Sequence, residues 1–198
     1  QAVEAVTLEL DAVVIGENDA VVSTRAIAVT DAEGMVSQLI DLAELLKNEF
    51  GGFDRIGIAV PGLVDRASGR VEFSANIPEY AKVDLVQSLK TGTGLDVVIE
   101  NDANAAAYGE YCSGAGRGSR NMFYATLGEG VGGAFIFGGE VWRGASGFAG
   151  EFGYVPINSE GMRLEDVASA ANIIRRTRSR FHQDSTSSLS KLSEAEIT

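Results

Sequence analysis

The sequence predicts an α/β protein with a mixed sheet, built twice over as two lobes with a cleft between them. Two observations lead there. The stretches "VEAVTLELDAVVIGENDAVV" and "NMFYATLGEGVGGAFIFGGEVW" share a rhythm of strand, turn, strand, turn, strand, a weak internal repeat that opens each half with an antiparallel meander. After the first meander, segments of helical and strand period alternate, the pattern of helices packed on a sheet. The lobes divide as residues 1–118 and 119–198. The second reads as incomplete, because one helix and no further strand follow its meander.

Each element has a local cause. "AVEAVTLELDAVVIGENDAVVSTRAIAV" reads as strands broken by a tight Gly-Glu-Asn-Asp turn. Thr30 and Glu33 stand in capping-box spacing, and Val36, Leu39, Ile40, Ala43 and Leu46 follow at helical period. "RIGIAV" is a short buried strand stopped by Pro61-Gly62. "DLVQSLKTGTG" is a brief helix with glycine stops, and "LDVVIE" is the next strand. "ANAAAYGEYCSGAG" is a helix with small residues on most faces, suited to close packing on a sheet. "LEDVASAANIIRRTRSRF" reads as one basic-ended helix, and "HQDSTSSLSKLSEAEIT" as a polar, serine-rich loop or unfinished connection.

Composition removes several function classes. With 45% hydrophobic residues, 198 residues can bury a real core. Acids outnumber bases 28 to 16, for a net charge of −12 without a basic block, so this segment repels phosphate backbones. The lone Cys112 excludes an internal disulfide and any multi-cysteine metal site, which fits a reducing cytosol. No apolar run approaches membrane-spanning length and residues 1–15 do not read as a signal peptide, so no membrane partner is expected and the cytoplasm is the expected compartment. The chain begins at Gln1 rather than Met, which points to an upstream piece.

The most informative stretch is "VVIENDANAAAYGE". An apolar strand ends in Glu100, Asn101 and Asp102, and the alanine-rich helix follows at once. Asp102 reads either as a general base for a substrate hydroxyl or as the helix cap, which is worth on the order of 1 kcal/mol. Three consecutive polar side chains exceed what a cap requires. In order along the chain, "GIAVPGLVD", "ENDANAAAYGE", "LGEGVGGAFIFGGEVWRGASGFAGEFGY" and "LEDVAS" resemble the motifs of the repressor–ORF–kinase (ROK) family. The resemblance covers most of residues 1–175 and is most specific from Asn101 to Gly153. It is closest in character to the sugar-responsive transcriptional regulators of that family, and it implies the actin-like ATPase, ribonuclease-H-like fold.

The resemblance also implies site residues. Asn101 and Asp102 match the pair that binds sugar hydroxyls, with Asp102 as the catalytic base if the chain is a kinase. Glu151 and Glu165 match glutamates that accept hydrogen bonds from the sugar, and Asn76 matches an asparagine over it. The bland alternatives are that Glu165 complements a helix N-terminus and Asn76 makes a turn. Where the family usually has a histidine followed by a zinc-binding cysteine loop, this chain has Tyr154 and only "VPINSEGMR" before Leu164. A structural zinc needs about four N or S ligands, and this interval offers none, so no metal is expected. Tyr154 is left to offer its hydroxyl to a sugar or to fill space.

The two phosphate loops implied by the fold diverge. Of the family's Asp-x-Gly-Gly-Thr-Lys, only Thr7 survives, with Ala5 and Val6 at the glycine positions and Leu8 at the lysine. The second loop keeps Gly128, Gly130, Gly132 and Gly133, but its usual threonine is Glu129. At an effective dielectric of ~20, two like charges ~4 Å apart repel by roughly 4 kcal/mol, which opposes a phosphate there unless magnesium intervenes. The expectation is therefore the sugar-binding core of a ROK-type regulator, with no cofactor. Its partners would be a small sugar or sugar derivative, a second copy of the chain in a homodimer, and DNA only through a winged helix outside this chain. The alternatives are an ATP-dependent sugar kinase that uses Mg-ATP and Asp102, or a scaffold that has lost its ligands.

Overall fold

Parallel pairing of two short apolar strands sets the polar edge of the first half. In the computed structural model, which describes residues 8–16, 20–29, 32–74, 81 and 83–197, β3 (Arg55–Val60) and β6 (Asp96–Asn101) run side by side. Ile58 lies opposite Ile99, Ala59 opposite Glu100 and Val60 opposite Asn101. Both strands thus end together, and the polar residues gather at their carboxyl ends, where open α/β sheets bind ligands. Ala5, Val6, Thr7, Thr30, Asn76 and most of the Gly-Glu-Asn-Asp turn lie outside the described residues, so the first phosphate loop and the asparagine expected over the sugar do too.

The chain divides into two compact units, Gln1–Asn101 and Asp102–Thr198. In the first, β1 (Leu8–Ile15) and β2 (Val21–Val29) form an antiparallel hairpin, and α1 (Ala32–Phe50) follows as its periodicity predicts. Met35 on α1, Val60, Ile99 and Leu85 form the core with Val64 and Val71. Those last two come from a hairpin that the sequence reading did not single out, β4 (Leu63–Asp65) and β5 (Arg70–Phe73). Its turn is an Asx turn: Asp65 Oδ1 accepts from the Ala67 amide at 2.9 Å, and Gly69 closes it with a left-handed φ of 71°. α2 (Leu85–Thr93) is capped by Asp84, which accepts from the Gln87 amide at 3.0 Å, and ends at the left-handed Gly94. Leu85 and Leu89 are each 1% exposed and contribute roughly 2 kcal/mol apiece.

The second unit is a helix laid on a meander. α3 (Asp102–Ser113) packs on β7 (Asn121–Leu127), β8 (Val131–Phe137) and β9 (Glu140–Trp142), ordered β7-β8-β9 and all antiparallel. Small residues permit the approach. Ala107, Ala134 and Ile136 are wholly buried, and a Cβ added at Gly132 would sit 3.4 Å from that of Ala103. Strand alternation sends Phe135 and Phe137 to the other face, where they join Phe123 and Trp142 with ring centroids 5.0 to 5.9 Å apart.

The basic-ended helix expected after residue 164 is two helices. α4 (Glu165–Ala168) and α5 (Ala170–Arg178) are separated by Ser169, which is extended at ψ 152° and 2% exposed. The break has a cause: leaving the helix frees the Ala170 amide to donate to the Gly128 carbonyl at 2.8 Å. Asn172 repairs the junction by donating to Ser169 Oγ at 2.9 Å and to the Glu165 carbonyl at 3.3 Å. The serine-rich segment is mostly turns, with short 3-10 stretches at Ser188–Lys191 and Glu194–Glu196. Among the described residues no helix is long and apolar enough to cross a membrane.

Candidate functional site

The polar residues that close β6 are held within the first unit. Asn101 Nδ2 donates to the Gly62 carbonyl at 3.0 Å, which ties the end of β6 to the turn after β3. Glu100 Oε1 accepts from the Asn101 amide at 3.1 Å, and its Oε2 lies 3.8 Å from the Arg66 guanidinium. Asp102 begins the second unit as the first residue of α3, where its Oδ1 accepts from the Ala103 amide at 2.9 Å. A carboxylate is favoured there by the helix N-terminus.

In the second unit Glu151 lies within electrostatic reach of two other carboxylates. Asp102 comes from α3, Glu151 from the turn before the 3-10 stretch Phe152–Tyr154, and Glu165 from the start of α4. The Glu151 carboxyl is pushed above its ordinary value, chiefly by lost hydration and then by the negative charges of Asp102 and Glu165. Glu151 keeps open surface as a residue, so the protein packed around its carboxyl group, rather than complete enclosure, is what strips the water. Carboxylates within electrostatic reach of one another favour hydroxyl donors and disfavour an anion.

Glycines fix this geometry by letting backbone approach backbone. A Cβ at Gly150, whose φ is +105°, would collide with the Gly133 carbonyl, and one at Gly153 with the Val131 carbonyl. A Cβ at Gly133 would strike the Phe152 ring. The Glu151 turn is therefore seated directly on β8. Gly132 and Gly133, expected as phosphate-loop remnants, have this packing role whatever else they do.

Glu165 engages the second glycine turn itself. Its Oε2 accepts from the Val131 amide at 3.0 Å, and a Cβ on Gly130 would sit 2.6 Å from the same oxygen. With the Ala170 amide on the Gly128 carbonyl, the two ends of "GEGV" are bound to the start of α5 and the start of α4. The Val131 amide of this turn thus serves a carboxylate of the chain.

The short interval before Glu165 forms a hairpin of its own. Leu164 donates to the Val155 carbonyl at 3.0 Å and Ile157 to the Met162 carbonyl at 2.7 Å, while Asn158 Oδ1 accepts from the Glu160 and Met162 amides at 3.1 and 2.9 Å. The Arg163 guanidinium lies 5.1 Å from the centre of the Tyr154 ring and 3.1 Å from Asp166 Oδ1. Arg163 and Asp166 went unremarked in the sequence, although "NSEG" was a readable turn signal. Among the described residues no group of three or more His, Cys, Asp or Glu is placed to hold a metal ion.

Residues 2–196 match the family model described as the ROK family. The chain belongs to the ROK family. It is 39% identical over 145 residues to the glucokinase of Thermotoga maritima, covering 69% of this chain and 46% of that protein. It is 38% identical over 110 residues to the xylose repressor of Bacillus subtilis, covering 56% of this chain and 28% of the repressor. The crystal structure of a ROK family glucokinase from Streptomyces griseus, in complex with glucose and AMPPNP, superposes with a TM-score of 0.75 at 33% identity, covering 88% of this chain and 58% of that one. The actin-like α/β fold is the one expected, and the chain spans less than half the length of these two curated relatives. Kinases and repressors both stand among its ROK relatives.

Proposed function

We propose that this chain is the sugar-binding core of a ROK-type transcriptional regulator. Asp102, Glu151 and Glu165 would accept hydrogen bonds from the hydroxyls of a sugar or sugar derivative. The observation that carries the reading is the Glu165 carboxylate seated on the Val131 amide. It supports sugar binding without phosphotransfer, because the second glycine turn offers a nucleotide phosphate a negative charge where an amide would be needed. Binding would shift the regulator between conformations only by the difference in its affinity for them. DNA contact would fall to a winged helix outside these residues, and the working unit would be a cytoplasmic homodimer.

A second reading rests on Asp102. A carboxylate at the N-terminus of α3 is suited to take the proton from a sugar hydroxyl as a phosphoryl group arrives from Mg-ATP. The test is a coupled phosphotransfer assay on the full-length protein with a panel of hexoses, aminosugars and N-acetylated sugars, alongside calorimetric sugar titrations. Sugar binding without turnover, and without a response to Mg-ATP, is expected. Turnover abolished in Asp102→Asn would replace the regulator reading with the kinase.

A further inference from the structure

The two glutamates of the site flank one ten-residue hairpin, and what closes that hairpin is a set of side chains that the site does not use. Glu151 stands three residues before Tyr154, and Glu165 one residue before Asp166. Arg163 spans the gap between these ends. Its guanidinium covers the Tyr154 ring at 5.1 Å, and its Nη2 and Nε lie 3.1 and 3.4 Å from the two oxygens of Asp166. The backbone repeats the tie, since the Arg163 amide donates to Asp166 Oδ2 at 2.9 Å and the Asp166 amide to the Arg163 carbonyl at 3.1 Å. Asp166 is held below its ordinary value, first by the Arg163 amide and then by the guanidinium, and Arg163 is held above its own.

The hairpin needs such a tie. Its strands meet at a single antiparallel bridge, Pro156 to Arg163, and proline brings no amide to the ladder. Val155, Ile157 and Met162 are all well exposed, so no core holds it down. An isolated pair of strands this short is marginal in water.

From this geometry we infer that Tyr154, Arg163 and Asp166 form a brace of positioning residues that sets the separation of Glu151 and Glu165, and with it the fit of a polyhydroxyl ligand. Arg163 suits the part because a planar guanidinium can stack on a ring with its face and fork to a carboxylate with its edge at once. The ring, not the phenol oxygen, is what the brace uses. Tyr154 is thereby assigned a role beside the sugar contacts rather than among them.

The inference rests on the sugar-binding reading for its purpose, but its test does not. The Glu151 carboxyl is raised first by lost hydration and then by Asp102 and Glu165, so its midpoint reports both the protein packed around it and the nearness of its acidic neighbours. Carbon-13 NMR titration of Glu151 would be recorded in the full-length protein without sugar, for the parent, Tyr154→Phe, Tyr154→Ala and Arg163→Met. Tyr154→Phe keeps the ring and should leave the midpoint in place. Tyr154→Ala removes no charge, so a fall toward the ordinary glutamate value that disappears in a Glu165→Gln background means that the glutamates have drifted apart. A fall that persists there reports hydration alone and counts against the brace.

Arg163→Met is the control that a purely electrostatic role fails. Losing a positive charge alone would raise a nearby carboxyl, whereas losing the brace lowers it. A raised or unmoved midpoint in both Tyr154→Ala and Arg163→Met overturns the inference. Should Tyr154→Ala not fold, Arg163→Met decides alone. With glucose or xylose as the probe, the variants that lower the midpoint should also weaken binding, by roughly tenfold to a hundredfold if the carboxylates shift by about an ångström. If the parent binds no sugar, the sugar reading fails and the titration still judges the brace.

Discussion

The first unit ends, and the second begins, in acidic and amide side chains that the fold handles in opposite ways. At the end of β6, Glu100 meets Arg66 and Asn101 meets the Gly62 carbonyl, so the polar groups serve the architecture. In the second unit, lost hydration first and then the like charges of Asp102 and Glu165 give the Glu151 carboxyl a raised affinity for protons. Asp102 and Glu165 each accept from a backbone amide, so they also serve the fold; what sets this group apart is that Glu151 is shifted by lost hydration and like charge, with no basic group among the causes.

The largest effect is expected where the second arrangement is enforced. Gly150→Ala sets a side chain at φ +105° against the Gly133 carbonyl and should cost about 3 kcal/mol or more, lowering Tm by roughly 6–12 °C in a thermal melt. A melt within two degrees of the parent would mean that β8 does not seat the Glu151 turn. Next comes Glu165→Gln. It keeps the shape but loses a charge that the Val131 amide exploits and that, on the proposed reading, a sugar hydroxyl would exploit, so calorimetry should show sugar affinity down by at least about tenfold. Unchanged affinity would place the sugar elsewhere.

Glu151→Gln sharpens the contrast through pH. The folded protein holds the Glu151 proton to higher pH than the unfolded chain does, so between those two midpoints stability falls as pH rises. The penalty is complete above the folded midpoint and absent below the ordinary glutamate value. Denaturant melts should therefore find Glu151→Gln more stable than the parent above that window, with the difference closing below it. Sugar affinity in the parent should weaken as pH drops through the folded midpoint, because hydroxyl donors bind the carboxylate. The smallest effect belongs to the first unit. Arg66→Gln breaks a pair 3.8 Å apart whose arginine is half exposed, and should change unfolding free energy by no more than about 0.5 kcal/mol.

Strands and helices with strong period were legible before any coordinates: α1, β3, α2, β6 and the β7–β9 meander fall where apolar spacing and glycine stops put them, and α3 falls on the alanine-rich run with small residues on most faces. What escaped were features set by single hydrogen bonds. The β4–β5 hairpin turns on one aspartate, and the helix break at Ser169 exists for one amide on a distant carbonyl. Neither leaves a periodic trace. Asp102, Glu151 and Glu165 were expected in the site because the motifs around them resemble those of the ROK family. The reach of Glu165 onto the Val131 amide was not readable, since no local pattern reports a contact across 34 positions. Asn76 and Thr7 belong to the described chain in neither unit, and their expected roles stand as proposals.

The Glu165 carboxylate lying over Gly130 has a consequence for how this sequence can change through descent. A methyl group at 130 would be accommodated by swinging the flexible carboxylate aside, which surrenders its bond to Val131 without unfolding anything. The two positions are therefore not free to vary independently: a lineage that discards the acid at 165 may fill 130 at no cost, while one that keeps both acid and contact must keep the glycine. An alignment of close relatives should show that pairing, and a pair of exceptions would date the moment at which the contact was given up.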